Sequence, residues 1–408
     1  MKLDELKNKK ILILGYGKEG KSTERFLKEK IPDLKVDATD KTIDPDYLSK
    51  QKDYDLVIKT PGIPKHLVTV PYTTATNIFF ANTNNLIIGV TGTKGKSTTA
   101  SLIYSILKQA GENVRLVGNI GNPMLDELGK GVNPEEIFVI ELSSYQLDDI
   151  HYSPHIAVIV SLFPDHMNYH GNIENYYEAK HNLIRFVKEN DYFVYNDQNQ
   201  ILSLWAKQAV CKTIPFDIDI PVAEQQLPLI GEHNKKNIQA AITIARILNI
   251  KDEIIATAIK SFKPLPHRLQ NVGTFRGITF YDDAISTTPE STIAAINSFE
   301  KIGTIFLGGE DRGYDFSKLI ELLIKRKISN IVLFPDSRKR ILESLRVHAE
   351  TLPNILQTEN MEEAVRFAYE NTPVGTICLL STASPSYSLW KDFQEKGDLF
   401  QSYVKQVA

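Results

Sequence analysis

The run Asn85-Leu-Ile-Ile-Gly-Val-Thr-Gly-Thr-Lys-Gly-Lys-Ser-Thr-Thr99 reads as a buried strand, a glycine-rich turn and the first turn of a helix. A strand that feeds a helix through a tight glycine turn is the building unit of an α/β fold, so the rest of the chain must supply the sheet around it. Gly92 and Gly95 let the backbone approach an anion closely, and the helix starting near Lys96 aims free N–H groups at it. Lys96 adds a point charge and Ser97 is placed to hold Mg²⁺. The strict G-x-x-x-x-G-K-[ST] spacing is not met, because Val90 stands five positions before Gly95. The segment Gly92, Thr93, Lys94, Gly95, Lys96, Ser97 and Thr98 is still expected to bind a nucleotide phosphate, since a plain loop has no need of Lys-Ser directly after its last glycine.

Upstream, the apolar residues 11–14 run into Gly15-Tyr-Gly17-Lys18-Glu19-Gly20, with Asp40 closing a second strand 20 residues beyond Gly20. That is the dinucleotide fingerprint, and taken alone it suggests NAD with Asp40 on the ribose. A second phosphate loop makes an oxidoreductase less economical. Physically the fingerprint asks only for a pyrophosphate near a helix N-terminus, which another nucleotide diphosphate satisfies. A third strand from Leu56 ends in the Pro61-Gly62 turn, so residues 1–85 read as a small doubly wound domain.

From residue 86 the pattern restarts. Ala100, Ile103, Ile106 and Leu107 have the spacing of one buried helix face, ending at Gly111. Val117-Gly-Asn119-Ile-Gly121 is a turn, open to a plain-loop reading or a ligand contact. Ile137–Ile140 is a strand that delivers Glu141 to its C-terminal end, where open sheets bind ligands, within reach of a Mg²⁺ on Ser97. Ile156 begins a similar strand, and His166 after it is expected to ligate a second divalent ion. The pairs His151/His155 and His166/His170 have helical spacing, but no Glu or Cys completes a zinc site. Lys180 lies in an amphipathic helical stretch and reads as a solvated charge. Asn234 and Asn237 fall one helical turn apart, open to capping or to contact with a base or phosphate. Pro264-Leu-Pro-His-Arg268 breaks the helical pattern and reads as an interdomain linker, giving a central domain 86–264 and a third α/β domain 265–408. In that last domain strands are expected at Ile278–Tyr281, Thr304–Leu307 before Gly308-Gly309, Ile331–Phe334 and Ile377–Leu380, and the polar clusters Asp282-Asp283 and Ser381-Thr-Ala-Ser384 stand at strand C-terminal ends.

Composition narrows the partners. Lys+Arg 47 against Asp+Glu 50 leaves a net charge of −3, so neither nucleic acid nor an anionic membrane is expected. Cys211 and Cys378 alone cannot build a disulfide framework, which fits a reducing cytosol. No stretch approaches 18 apolar residues and the charged start reads as neither signal nor span. A cytoplasmic monomer is the expectation.

Taken together, Thr-Gly-Thr-Lys-Gly-Lys-Ser at 91–97, Glu-Leu-Ser-Ser-Tyr-Gln at 141–146, Asp-His at 165–166, Glu-Ala-Lys at 178–180, His-Asn-x-x-Asn at 233–237, Pro-His-Arg at 266–268 and Leu-Gly-Gly at 307–309 resemble the Mur ligases. These are ATP-dependent amide-forming enzymes of peptidoglycan precursor synthesis. The tail from Leu379 to Gly397 looks like the member that adds glutamate, expected as D-Glu, to UDP-N-acetylmuramoyl-L-alanine. The resemblance implies a three-domain architecture of a Rossmann-like N-terminal domain, a central P-loop ATPase-like domain and a Rossmann-like C-terminal domain. It implies that the first fingerprint holds UDP rather than NAD, through Gly17, Lys18, Glu19, Asp40 and Gly62. Asn119, Ser143 and Gln146 would meet the muramoyl-alanine part. Lys96, Ser97, Glu141 and His166 would serve ATP and two Mg²⁺ ions, with Lys180 matching a carbamylated lysine that joins them as a metal ligand. Asn234, Asn237, Arg268 and Asp283 would contact ATP, and Thr287, Arg312, Ser386 and Phe393 the amino acid. Two departures stand out: Ile285 replaces a lysine common in the glutamate-adding member, and Arg312 replaces another. The first leaves L-glutamate or a different amino acid as the alternative.

Overall fold

The computed structural model describes residues 1–348 and 351–408, built on three sheets. The first is β1 (Lys10–Leu14), β2 (Lys35–Thr39), β3 (Leu56–Lys59) and β4 (Tyr72–Thr73), all parallel in the order β2-β1-β3-β4. The second is β5 (Leu86–Thr91), β6 (Val114–Gly118), β7 (Ile137–Glu141), β8 (Ile156–Ile159), β9 (Tyr192–Tyr195) and β10 (Lys212–Pro215), parallel in the order β10-β9-β8-β5-β7-β6. The third is β11 (Gln270–Phe275), β12 (Ile278–Asp282), β13 (Ile302–Gly308), β14 (Asn330–Phe334), β15 (Asn354–Gln357) and β16 (Ile377–Leu380), in the order β11-β12-β16-β13-β14-β15. It is mixed, because β11 and β12 form an antiparallel hairpin.

Strand order explains why the glycine loops become sites. In each sheet the order reverses beside the strand that carries one: β1 before Gly15, β5 before Gly92 and β13 at Gly308. Neighbouring helices diverge at such a point and leave a crevice at the strands' C-terminal ends. At Gly308 (φ +104) a Cβ would lie 2.1 Å from the Phe334 carbonyl oxygen. Gly308→Ala is therefore expected to cost about 2 kcal/mol or more, read as a lowered denaturant midpoint at unchanged m-value.

The chain forms two compact units, Met1–Leu227 with Lys236–Phe262, and Pro228–Lys235 with Lys263–Ala408. The last of the three breaks between them, Phe262 to Lys263, lies just before Pro264, and the excursion of Pro228–Lys235 has no counterpart in the sequence pattern. Ile230, in that excursion, packs on the core of the second unit. The first unit holds two sheets over one apolar core, which runs from Ile11, Phe26 and Phe79 to Phe138, Ile159 and Phe193. Phe79 and Phe138 meet edge to face at 5.0 Å. The first sheet is not wound on both sides. Its opposite face, Leu12, Leu14 and Val57, is covered by Tyr47, Leu48, Tyr54, Leu67 and Val68 from irregular chain, because 41–72 lacks a run long enough for an α-helix. In the second unit both faces carry helices: Leu319, Ile320, Ile341 and Leu345 on one, Met361, Val365, Phe400 and Val404 on the other. Strands β9, β10, β11 and β15 escaped the sequence reading, being runs of four to six residues with little alternation. The segment read as a turn at 117–121 begins inside β6.

Candidate active site

At the end of β5 the chain turns through Gly92 (φ +159) and Gly95 (φ +86), and Gly95 caps the helix Lys96–Gln109. The loop is clamped from both sides. Thr93 N–H donates to Ser161 O at 2.9 Å, Lys94 N–H to Ser161 Oγ at 2.9 Å, and Thr93 Oγ1 to Phe163 O at 2.9 Å. Tyr176 adds its hydroxyl to Thr93 Oγ1 at 3.0 Å, a contact sequence reasoning missed. A Cβ on Gly95 would sit 2.3 Å from Asn237 Oδ1, so Asn237 lies against the loop, while Asn234 Nδ2 donates to Ile230 O at 2.8 Å as a helix-start contact. Lys96 folds back over the loop, its Nζ donating to the Gly92 and Thr93 carbonyls at 3.0 and 2.9 Å. Ser97 and Thr98 are buried in the first helical turn.

Parallel pairing of β5 with β7 sets Val90 opposite Glu141 and so brings a carboxylate beside this loop. Glu141 is 1 % exposed. Its Oε1 accepts from Asn119 Nδ2 at 3.1 Å, and its Oε2 is buried with no hydrogen-bond partner among the described residues. From its helical pattern alone Lys180 reads as solvated, and the structure corrects that reading. It is 1 % exposed, and Nζ donates to Gly92 O at 2.9 Å and Thr91 Oγ1 at 3.3 Å. The helix Ile173–Arg185 presents Lys180 on the same face as Tyr176 and Leu183, so the apolar stripe carries its lysine inward. Burial, reinforced by Lys96, lowers the pKa of its ammonium far below the usual value.

His166 does not follow β8 directly, as had been expected. It caps the helical turn Met167–His170, seven positions past Ile159, in the left-handed region (φ +57). Burial lowers its pKa to about 4, despite Asp165 and with Lys96 and Lys94 assisting, so the imidazole is neutral at neutral pH. Asp165 also meets Lys94 Nζ at 3.5 Å. Of the other histidines in those pairs, His151 is exposed, His155 Nδ1 accepts from Ile87 N–H at 3.1 Å, and His170 Nε2 lies 3.1 Å from Ser144 Oγ. Among the described residues no three His, Cys, Asp or Glu side chains converge on a metal position. Mg²⁺ needs no such cage, since it keeps waters and uses one or two carboxylates with substrate phosphates. A buried carboxylate oxygen without a partner, a hydroxyl at the loop and a neutral imidazole fit that ion.

The first fingerprint lies in the same unit. Gly17 caps the helix Lys18–Lys30, and Lys18 Nζ donates to Gly121 O at 3.4 Å. Asp40 is taken up locally, accepting from Thr42 Oγ1 at 2.7 Å, from Thr42 N–H at 2.8 Å and from Tyr16 N–H at 3.2 Å. Its carboxylate thus braces the glycine turn. The turn at Gly62 rests on buried Lys59, which donates to Ile63 O at 3.0 Å and pairs with Asp149 at 2.5 Å. Ser143 and Gln146 form a capping box, and Gln146 Nε2 donates to Glu19 Oε2 at 3.2 Å, tying the turn after β7 to the first helix.

Burial raises the Glu19 pKa to about 7, against Gln146 and Lys59, while its unfolded value is 4.5. Between those values the folded state binds more protons than the unfolded one, so this group's contribution to stability falls as pH rises through the window. Glu19→Gln should therefore match wild type near the lower limit and exceed it by about 2 kcal/mol at pH 8, after allowing for partial solvent access. Denaturant titrations of both proteins at several pH values read the difference directly; a constant gap would refute it.

The second unit has its own polar cluster at the ends of β12, β13 and β16. Arg268 stands between two residues of positive φ, His267 (+60) and Leu269 (+47). Asp283 accepts from Ser381 Oγ at 2.8 Å and Leu269 N–H at 3.3 Å, and burial raises its pKa to about 7. Thr287 precedes the helix cap Thr288. Arg312 is held by Glu310 at 2.7 Å, its guanidinium 5.9 Å from the centre of the Tyr387 ring. Ser386 is buried, and its Oγ has no hydrogen-bond partner among the described residues. Phe393 meets His267 edge to face at 6.1 Å. Two supports here carried no sequence signal: His267 Nδ1 lies 2.7 Å from Asp282 Oδ2, and Lys396, fully buried, donates to Thr382 Oγ1 at 2.5 Å.

Residues 90–225 match the family model of the Mur ligase middle domain, and 267–383 that of the Mur ligase glutamate ligase domain. The chain is 31 % identical to the UDP-N-acetylmuramoyl-L-alanine–L-glutamate ligase of Salinispora tropica, over 100 % of both chains. It is 30 % identical to the UDP-N-acetylmuramoylalanine–D-glutamate ligase of Caldicellulosiruptor saccharolyticus, over 99 % of this chain and 100 % of that one. Among solved structures, MurF ligase from Thermotoga maritima in complex with ADP superposes with TM-score 0.64 at 16 % identity, covering 89 % of this chain and 92 % of that one. The UDP-N-acetylmuramate-alanine ligase MurC of the same organism gives 0.63 at 18 % identity, over 98 % and 100 %.

Proposed function

The chain belongs to the Mur ligase family, and on that premise we propose that it joins glutamate to UDP-N-acetylmuramoyl-L-alanine at the expense of ATP, as a cytoplasmic monomer making a peptidoglycan precursor. Among the described residues no helix is long and apolar enough to cross a membrane. The observation that carries the reading is Glu141, a buried carboxylate with one oxygen unsatisfied, paired in register with the strand that feeds the phosphate loop.

In this reading the loop 92–98 and the N-terminus of its helix hold the ATP phosphates, with Lys96 on the charge that grows during transfer. The alanyl carboxylate attacks the γ-phosphorus, forming an acyl phosphate and releasing ADP. The amine of glutamate then attacks the acyl carbon, a C–N bond replaces the C–O bond, and phosphate leaves with a proton lost from nitrogen. Ser97, Glu141, His166 and, as a carbamate, Lys180 would hold two Mg²⁺ ions, which neutralise phosphate oxygens when bound. Gly17, Lys18, Glu19, Asp40 and Gly62 would face UDP, with Asn119, Ser143 and Gln146 toward the muramoyl-alanine. Thr287, Arg312, Ser386 and Phe393 are taken as glutamate contacts, and Asn234, Asn237, Arg268 and Asp283 as nucleotide contacts. Arg312 suits a carboxylate because its guanidinium binds one bidentately.

D-Glutamate is the first expectation. L-Glutamate is the second reading, kept open by Ile285 at a position where the resemblance implies a lysine and by relatives named for each enantiomer at nearly equal identity. Phosphate release should require ATP, UDP-N-acetylmuramoyl-L-alanine and glutamate together, and parallel assays with the two enantiomers decide between them. Release of phosphate without either co-substrate would sink the ligase reading.

A further inference from the structure

The capping box of Ser143 and Gln146 starts the turn Ser144–Leu147 directly after Glu141 and Leu142. It therefore fixes Tyr145 relative to the strand end that carries Glu141. The Tyr145 ring is wedged between Tyr169, edge-on at 4.4 Å, and His170, stacked at 5.8 Å. Its hydroxyl lies 2.9 Å from Nδ1 of His166. The His166 backbone is held as well, its N–H donating to Asp165 Oδ1 at 2.8 Å. On the other side of the imidazole, Nε2 is 3.7 Å from Asp165 Oδ2, outside hydrogen-bond distance.

A neutral imidazole has one N–H and one lone pair, and the hydrogen bond at one nitrogen decides which role the other takes. A phenol that donated to Nδ1 would leave the proton on Nε2, where it would exclude a cation. A phenol that accepts from Nδ1–H leaves the Nε2 lone pair free. Resting on the reading of His166 as a metal ligand, we infer that Tyr145 is a positioning residue which accepts the Nδ1–H hydrogen bond and so presents Nε2 of His166 to a divalent cation. One short segment, 141–145, then supplies a carboxylate to the site and orients an imidazole that follows 21 residues after Tyr145. Partners of this kind are commonly worth ten- to a hundredfold in metal affinity.

The test uses the full-length protein and begins without metal. Long-range ¹H–¹⁵N NMR of the histidine side chains, with His166 identified as the signal lost in His166→Ala, reads which ring nitrogen carries the proton. Wild type is expected as the Nδ1–H tautomer. Tyr145→Phe keeps the ring and its packing but removes the oxygen, and should move His166 toward Nε2–H. The same variant should raise the Mg²⁺ concentration for half-maximal ligation about tenfold, leaving turnover at saturating Mg²⁺ within about twofold. An Nε2–H tautomer in wild type overturns the inference whatever the variant does. So does an unchanged tautomer and Mg²⁺ requirement in Tyr145→Phe when His166→Ala raises that requirement. If His166→Ala itself leaves the requirement unchanged, it is the ligand reading of His166 that falls.

Discussion

Lys180→Ala should lower turnover about a hundredfold, close to 3 kcal/mol of transition-state stabilisation, in a protein that still folds. An exposed helical lysine would give no such effect, and its loss would cost a few tenths of a kcal/mol in stability. Lys180 is enclosed, with Nζ 2.9 Å from the carbonyl of Gly92. Burial and the neighbouring Lys96 disfavour its charged form, so the neutral amine is more accessible than in an exposed lysine. Such an amine adds to CO₂: a C–N bond forms, one proton leaves, and the product is an anion able to ligate Mg²⁺. The carbamate reading makes a distinctive demand. A short carboxylate such as acetate should partly restore the Ala variant by filling the vacated space, whereas methylamine should not. Rescue by methylamine would assign the work to an ammonium. Near-native turnover without rescue by either would remove Lys180 from the reaction.

A larger loss is expected from Glu141→Gln, about a thousandfold in kcat/KM, or roughly 4 kcal/mol. The substitution preserves shape and leaves an amide oxygen to accept from Asn119 Nδ2, so what it deletes is the charge. A buried carboxylate oxygen without a hydrogen-bond partner destabilises the fold unless a ligand satisfies it. Glu141→Gln should therefore melt at or above the wild-type temperature while losing activity, the pattern of a group retained for function. Rapid-quench measurement of ADP formation should place the defect in phosphoryl transfer rather than in release of product. A loss under tenfold would show that this carboxylate takes no part in handling the phosphates.

Much of the molecule was legible in short-range pattern. The apolar runs that became β1, β3, β5, β7, β8, β12, β13, β14 and β16, and the glycines that end three of them, are local features, because strand burial and positive φ are set by residues a few positions apart. The glycine turn from β5 into its helix could be read from residue type, and so could Glu141 at its strand end. The strands missed were those whose pattern is thin, such as Lys212–Pro215 and Asn354–Gln357 at sheet edges. The irregular cover over one face of the first sheet had no periodicity to find.

By itself, then, the sequence determined an α/β chain with a glycine-rich strand-to-helix turn and a set of polar strand ends, since these follow from residue type and near-neighbour spacing. Only the tertiary structure decided what those groups touch. The in-register pairing of Val90 with Glu141 places a carboxylate beside the loop. Helix packing turns Lys180 inward beneath Gly92, and a turn after β8 brings His166 to the Tyr145 hydroxyl. Each contact joins residues 21 to 88 positions apart. Their proximity depends on which strands pair and which helix faces are buried, and it is burial that disfavours the charged form of Lys180.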